Sequence, residues 1–230
     1  LDDASLYCWG YNLKGQLGDR TTTDSSTPVA VSLPSGRTAS SVSAGQNFAC
    51  AVLDDASLYC WGYNAAGNLG DGTNTLRSTP VAVSLPSGRT ALSVSGGVSH
   101  TCAVLDDASL YCWGSNWAGQ LGDGTTSYSY TPVQVSLPSG RTAASVSTGR
   151  DHTCAILDDA SLYCWGNNDE GELGDGTTTA STSPVAVILP SGRTAASVDS
   201  GYYHTCAVLD DASLYCWGYN GGSDWSVTTY

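Results

Sequence analysis

Leu53-Asp-Asp-Ala-Ser-Leu-Tyr-Cys-Trp-Gly62 is one of five identical copies of a decapeptide in this chain of 230 residues. The copies follow one another at a constant spacing of 52 residues and begin at Leu1, Leu53, Leu105, Leu157 and Leu209. Self-similarity with a fixed period of this length is typical of repeat architectures. We therefore predict one repeat array over residues 1–222, with four full repeats and the beginning of a fifth, followed by a tail over residues 223–230.

The charge of the chain argues against one class of partner. The chain has 21 acidic and 8 basic residues and a net charge of −13, whereas binding to a phosphate backbone depends on clustered lysines and arginines. We therefore expect no nucleic-acid partner. No apolar run approaches the length of a membrane span, so we also expect no membrane insertion.

Nine cysteines stand at regular places in the repeats. Eight of them form pairs separated by ten positions: Cys50 with Cys60, Cys102 with Cys112, Cys154 with Cys164, and Cys206 with Cys216. This arrangement predicts four disulfides and an oxidising compartment, and hence an extracellular or cell-surface protein. The ninth, Cys8, has no preceding partner.

Each cysteine pair flanks a predicted β-hairpin. In the second copy, short apolar runs on both sides of the polar Asp-Asp-Ala turn favour two antiparallel strands. Pairing Leu53 with Ser57 places Cys50 opposite Cys60, at a distance that a disulfide can span. Ala56 then occupies a left-handed position that normally takes glycine, at a cost of roughly 1 kcal/mol.

Two further strands are predicted in each repeat. They are Pro80–Leu85, which is bounded by prolines, and the alternating segment Ala91–Ser95, with a turn at Pro86-Ser-Gly-Arg89 between them. No segment has a helical period. Four short strands in 52 residues predict an all-β fold built from four-stranded antiparallel propeller blades. A β-solenoid is the structural alternative, although its coils are usually shorter and lack an internal hairpin.

Several motifs of the repeat carry a family resemblance. They are Cys60-Trp-Gly-Tyr-Asn64, Gly67-Asn-Leu-Gly-Asp-Gly72, Thr79-Pro-Val81 and His100-Thr-Cys-Ala-Val-Leu-Asp-Asp107. With these motifs the chain resembles the regulator of chromosome condensation repeat family, in the cysteine-rich form of secreted or surface-anchored bacterial proteins. The resemblance implies a β-propeller, usually with seven blades in a ring. Four and a half repeats are too few for such a ring, so two interpretations are open: an array that assembles with other copies, or a fragment whose missing repeats complete a seven-bladed propeller.

The functions found within that family differ, so the resemblance alone does not fix the function. They include a nuclear nucleotide-exchange factor, plant ultraviolet photoreceptors and a secreted inhibitor of β-lactamases. The paired cysteines disfavour the nuclear role. The photoreceptors have a tryptophan where this chain has Arg150 or Tyr202. A secreted interaction or structural role remains.

We interpret the histidines, the cysteines and the paired aspartates as structural residues, although each of these types can serve in catalysis or metal binding. One repeat position holds His100, His152 and His204. The first repeat has Phe48 at that position, so we interpret the histidines as packing residues. A zinc site built from such a histidine and two cysteines lacks a recurring fourth ligand, and the Asp-Asp turns offer too few oxygens for calcium. No nucleophile with an orienting base is found. We predict no enzymatic activity, no metal and no cofactor.

The repeats differ mainly in three segments: after the Trp-Gly, in the Thr/Ser stretch, and before the His-Thr-Cys strand. The first and third lie at the hairpin end away from the Asp-Asp turn, so we expect them to share one face. Exposed aromatic residues on such loops are typical of surfaces that recognise a protein or a glycan. The residues expected on that face are Tyr11, Phe48, Tyr63, Trp117, Arg150, Asp151, Asp169, Glu170, Tyr202, Tyr203 and Tyr219. Among them, the predicted binding residues are Phe48, Trp117, Arg150, Tyr202 and Tyr203; the alternative is that the loops vary because nothing constrains their sequence.

Two hypotheses of function follow. The first is an extracellular structural protein that assembles with itself, end to end, into a fibre or surface layer. It is favoured because the strand of Cys8 has no hairpin partner, and open strand edges pair with other chains. In the tail, the alternating Trp225 and Val227 predict a strand added to a neighbouring copy. The alternative is a secreted binding module, lectin-like or a protein inhibitor, that acts through the loop face.

Overall fold

The computed structural model describes residues 5–221. This range contains 17 strands and no helix, and hence no helix that is long and apolar enough to cross a membrane. A two-stranded sheet joins β1 (Tyr7–Gly10) and β2 (Ser25–Ala30), and a three-stranded sheet joins β15 (Ala195–Ser200), β16 (His204–Leu209) and β17 (Leu214–Gly218). The three four-stranded sheets between them are β3 (Ala39–Ala44), β4 (Phe48–Leu53), β5 (Leu58–Gly62) and β6 (Arg77–Ala82); β7 (Ala91–Gly96), β8 (His100–Leu105), β9 (Leu110–Gly114) and β10 (Ser129–Gln134); and β11 (Ala143–Thr148), β12 (His152–Leu157), β13 (Leu162–Gly166) and β14 (Ser181–Ala186).

The sheets are offset from the sequence repeats. Each four-stranded sheet takes its first two strands from the end of one repeat and its last two from the start of the next, and all neighbouring strands are antiparallel. The first strands β3, β7, β11 and β15 pack side by side, and β6, β10 and β14 form the outer edges. The sheets therefore stack as propeller blades, as predicted, but within residues 5–221 they do not close into a ring.

The hairpin register agrees with the prediction. Cys50 lies opposite Cys60, and Leu53 donates its backbone N–H to the carbonyl of Ser57 at 2.9 Å. The Cα atoms of Cys50 and Cys60 are 4.0 Å apart, because directly opposed residues approach most closely in a non-hydrogen-bonded pair. Ala56 has a φ of 62°, in the left-handed region. All four predicted disulfides are present: Cys50–Cys60, Cys102–Cys112, Cys154–Cys164 and Cys206–Cys216.

The predicted strand Pro80–Leu85 is misplaced. Strand β6 spans Arg77–Ala82, so it begins three residues earlier and contains Pro80. A proline fits there because β6 is an outer edge, where a missing N–H leaves no ladder partner unsatisfied. The predicted strand Ala91–Ser95 corresponds to β7.

The tryptophans of the decapeptide connect neighbouring blades. Trp113 is fully buried and packs in one cluster with Leu58 of the preceding blade. Its indole N–H donates to the carbonyl of Asn68, in a loop of that blade, at 3.0 Å. In the same loop Gly70 has a φ of +67°, and a Cβ atom there would lie 2.7 Å from the Trp113 ring nitrogen. The recurring glycine and tryptophan are therefore one packing unit.

Phe48 is a core residue, so its assignment to the binding surface was wrong. Only 2% of it is exposed, because the first position of β4 points into the junction with the next blade, where its ring meets Gly45 and Gly96. His100 and His152 occupy the same repeat position and are also buried. An aromatic ring at this position fills the core where a further blade covers it, whereas His204, in the last described blade, is exposed.

Candidate functional site

The variable loops of the β7–β10, β11–β14 and β15–β17 blades enclose a pocket of ≈ 410 Å³. This volume falls within the range of ligand pockets. Four of the five predicted binding residues line it: Trp117, Arg150, Tyr202 and Tyr203. The other lining residues are Asp151, Asn167, Asp169, Glu170, Glu172 and Tyr219.

Buried asparagines hold the loops that carry the lining residues. Asn116, which precedes Trp117, is fully buried, and its side-chain amide donates to the carbonyls of Thr125 and Ser127, both at 3.1 Å. Its amide oxygen accepts a backbone N–H at 2.9 Å. Asn168 makes the equivalent bonds one repeat later. Because a buried amide with satisfied partners rigidifies its surroundings, the scaffold fixes each loop while the exposed residues beside the asparagine vary.

Arg150 forms the centre of an aromatic cluster. Its guanidinium carbon lies 4.9 Å from the ring centroids of both Tyr202 and Tyr203, and the guanidinium group also donates a hydrogen bond to the Tyr203 hydroxyl. Tyr219 meets the Tyr203 ring edge-on, with centroids 6.0 Å apart. The Arg150 Nε atom pairs with a carboxylate oxygen of Asp151 at 3.0 Å. Cation–π attraction and the ion pair together fix this guanidinium group.

Asp151 links the arginine to the tryptophan on the opposite side of the pocket. Its carboxylate accepts the indole N–H of Trp117 at 3.1 Å and a side-chain N–H of Gln120 at 3.3 Å. Burial raises the pKa of Asp151, while the Trp117 hydrogen bond and the Arg150 charge oppose that rise. The Trp117 ring is therefore oriented by its hydrogen bond although 52% of the residue is exposed.

Three more carboxylates line the pocket floor and rim. Glu172 is only 1% exposed and accepts the backbone N–H of Glu170 at 2.9 Å. Burial raises the pKa of Glu172, backbone hydrogen bonds oppose this, and the charges of Asp169 and Glu170 raise it further. In the described part of the chain, none of these three residues forms an ion pair with a basic side chain.

Sequence reasoning missed Asn167 and Glu172 as parts of the site. The position of Glu172 holds Gln16, Asn68 and Gln120 in the other repeats. The available signal was that Glu172 is the one charged residue at a repeat position that otherwise holds amide side chains. The sequence alone does not show that this position lines a pocket, because the pocket is formed by loops of several blades.

The predicted assembly residues are not part of this pocket. Cys8 is unpaired and partly buried, and burial raises the pKa of its thiol. Its strand β1 pairs only with β2 among the described strands. Trp225, Val227 and the rest of the 223–230 tail lie outside the described residues. Over residues 5–221, no three His, Cys, Asp or Glu side chains are grouped so that they can hold a metal ion.

Comparison with known proteins shows the family. The RCC1-like domain model matches residues 1–225. The chain belongs to the RCC1-like domain family. It is 34% identical over 216 residues to the ultraviolet-B receptor UVR8 of Arabidopsis thaliana, a match that covers 94% of this chain and 49% of the receptor. It is 30% identical over 204 residues to the E3 ubiquitin-protein ligase HERC2 of Homo sapiens, covering 88% of this chain and 4% of the ligase.

A solved structure agrees with the fold of this RCC1-like domain. The yeast RCC1 (Prp20) structure, in complex with Kap60, aligns with a TM-score of 0.82 at 22% identity, covering 96% of this chain and 53% of that one. The chain thus spans about half the length of the Arabidopsis receptor and of yeast RCC1, and a small part of HERC2. It is an RCC1-like β-propeller repeat protein, a kind of protein-binding module.

Proposed function

We propose that this RCC1-like domain is a non-enzymatic module that recognises a partner protein through the pocket around Arg150. The observation that carries the proposal is the convergence of Trp117, Arg150, Tyr202 and Tyr203 on one pocket. Tryptophan, tyrosine and arginine are the residue types that dominate the binding energy of protein interfaces. Here they stand on rigid loops, at positions where the otherwise nearly identical repeats differ.

The comparisons support a protein partner more than a reaction. Yeast RCC1 was crystallised with a protein, Kap60. The ligase activity in the name of HERC2 belongs to a protein of which this chain covers 4%, so we propose no catalysis from it.

The proposal includes an extracellular or cell-surface location. The support for it is the recurrence of a disulfide in each of four hairpins. Such bonds persist mainly in oxidising environments, where no thiol pool reduces them.

Removing the Trp117 ring should abolish most binding at the pocket. Random dodecapeptides displayed on phage and selected on the parent protein should bind Trp117→Ala at least tenfold more weakly, since truncating a central aromatic anchor typically costs about 2 kcal/mol or more. The affinity is measured by calorimetry on the soluble protein. Tyr128→Ala is the matched control, because Tyr128 is also 52% exposed but does not line the pocket.

Two results would contradict the binding proposal. One is a set of selected peptides that binds Trp117→Ala and the parent equally well. The other is a parent protein that binds a glycan array and selects no peptide, which would support the lectin-like alternative instead.

End-to-end self-association is a second candidate function, favoured by two exposed residues. At each junction between blades, a leucine of one blade packs in the same cluster as a tryptophan of the next: Leu6 with Trp61, Leu58 with Trp113, Leu110 with Trp165, and Leu162 with Trp217. The remaining members of the series, Leu214 and Trp9, are 63% and 62% exposed at the two ends of the described array. We propose that the Leu214 face of one copy packs against the Trp9 face of another, a head-to-tail contact that would propagate.

A charge on the exposed leucine should block this association. In sedimentation velocity at increasing concentration, we expect the parent to form larger species and Leu214→Asp to remain a monomer, because the buried carboxylate would have no partner. Ile188→Asp is the control, since Ile188 is 71% exposed but lies away from both ends. A parent that stays monomeric, or a Leu214→Asp variant that assembles like the parent, would rule out the fibre hypothesis.

A further inference from the structure

The pocket carries an excess of negative charge that the protein itself does not balance. Its lining has four carboxylates and one cation, Arg150, which is already paired with Asp151. The other three carboxylates belong to Asp169, Glu170 and Glu172. The preceding repeat has Trp117, Ala118 and Gln120 at these three positions. The charge is therefore special to this junction and is not needed for the fold.

At the first junction, between the β1–β2 sheet and the β3–β6 blade, the equivalent positions hold a cation from the chain itself. There Lys14 lies with its ammonium group 5.7 Å from the ring centroid of Tyr63. By the 52-residue period, Lys14 corresponds to Glu170 and Tyr63 corresponds to Tyr219. At the first junction the chain thus supplies its own cation to the tyrosine. At the pocket it replaces that cation with a carboxylate and leaves the tyrosine 53% exposed.

We infer that the pocket takes a lysine or arginine side chain presented by the partner protein, an inference that rests on the proposed function. The cationic group would lie beside Glu172, and Asp169 and Glu170 would add to its attraction. The faces of Trp117 and Tyr219 favour a cation through their ring quadrupoles. A neutral ligand such as an uncharged sugar would leave the buried carboxylate of Glu172 without a counter-charge, which is unfavourable.

Small probes test this inference directly. The indole N–H of Trp117 is followed by NMR while N-acetyl-arginine amide, N-acetyl-lysine amide or the neutral isostere N-acetyl-citrulline amide is added. We expect the two cationic probes to bind at least tenfold more tightly than the citrulline probe. Hydrogen bonds and contacts to a charged group are worth more than those to a neutral one.

Two variants should weaken the cationic probes without disturbing the fold. Glu172→Gln places the residue of Gln120 in the equivalent position, and we expect about tenfold weaker binding. Glu170→Lys restores the arrangement of Lys14, and we expect it to block the probes. Asp199→Asn is the control, because it removes one charge from an exposed residue of β15 that does not line the pocket, and we expect less than a twofold change.

The outcomes separate this inference from the proposed function. Equal binding of the citrulline probe, no binding of either cationic probe, or an unchanged affinity in Glu172→Gln would overturn the inference. Selected peptides that depend on Trp117 but contain no lysine or arginine would overturn it too, while leaving the proposed function intact. Selected peptides that bind Trp117→Ala as tightly as the parent would overturn the proposed function itself.

Discussion

Reduction of the four disulfides is expected to bring the protein to the edge of unfolding at room temperature. Each bond closes a loop with a sequence separation of 10. A loop of that length restricts the unfolded chain by about 2–3 kcal/mol, so the four bonds together contribute about 8–12 kcal/mol. This is comparable with the whole free energy of unfolding of a typical domain, about 5–15 kcal/mol. The measurement is a urea titration with and without a thiol-free phosphine reductant.

A single blade gives the matched experiment. Cys102→Ala together with Cys112→Ala removes one buried bond, and we expect the melting temperature to fall by about 5–10 °C, given about 2–4 °C per kcal/mol for a chain of this size. Cys8→Ser is the control, because Cys8 forms no disulfide and its replacement should leave the sensitivity to the reductant unchanged. If the reduced parent unfolds at the same urea concentration as the oxidised parent, the hairpin bonds do not stabilise the fold.

The local fold was predictable because its determinants are local and repeated. Apolar alternation, a turn of fixed length and two cysteines ten positions apart define the register of Cys50 and Cys60 without any long-range information. The strand Pro80–Leu85 was misplaced because a proline was taken as a boundary. Pro80 is tolerated inside the strand because β6 is an outer edge of its sheet, and the position of β6 in the sheet is known only from the assembled structure.

The site was predictable in part, from differences between copies that otherwise agree. Those differences pointed to Trp117, Arg150, Tyr202 and Tyr203. Phe48 was included wrongly, since a variable residue next to a loop resembles a surface residue until the neighbouring blade is known to cover it. The sequence analysis also did not predict the ion pairs made by the Asp-Asp turns. Arg89 pairs with Asp106 at 3.6 Å and with Asp107 at 2.9 Å, a contact between the Pro-Ser-Gly-Arg turn of one repeat and the Asp-Asp turn of the next.

Mild acid is expected to destabilise the protein through two buried histidines. Burial, with a smaller effect from the next histidine, lowers the pKa of His100 from 6.5 to about 3 and that of His152 from 6.5 to about 4. The unfolded chain therefore binds more protons than the folded chain below pH 6.5, and stability falls as the pH falls from 6.5 toward these values. At pH 5 each histidine should cost about 2 kcal/mol relative to pH 7.

The hydrogen bonds explain why protonation is unfavourable there. The hydroxyl of Thr153 donates to the carbonyl of Gln120 at 2.9 Å, so it accepts from the Nε2 atom of His100 at 2.9 Å. The proton of neutral His100 is then on Nε2, and the buried Nδ1 atom has no partner within the described chain. A second proton on Nδ1 would have no acceptor and no compensating charge.

The double variant His100→Phe, His152→Phe tests this mechanism, because Phe48 already fills the same repeat position. Its free energy of unfolding, from urea titrations at pH 7 and pH 5, should lose about 4 kcal/mol less than that of the parent over this interval. The comparison is needed because Asp151 and Glu172 have raised pKa values, and their protonation favours the folded state as the pH falls. That opposing contribution is common to both proteins and cancels in the difference. Equal losses in the two proteins would mean that the histidines already carry their protons in the folded state, and that the junctions between blades are open to water.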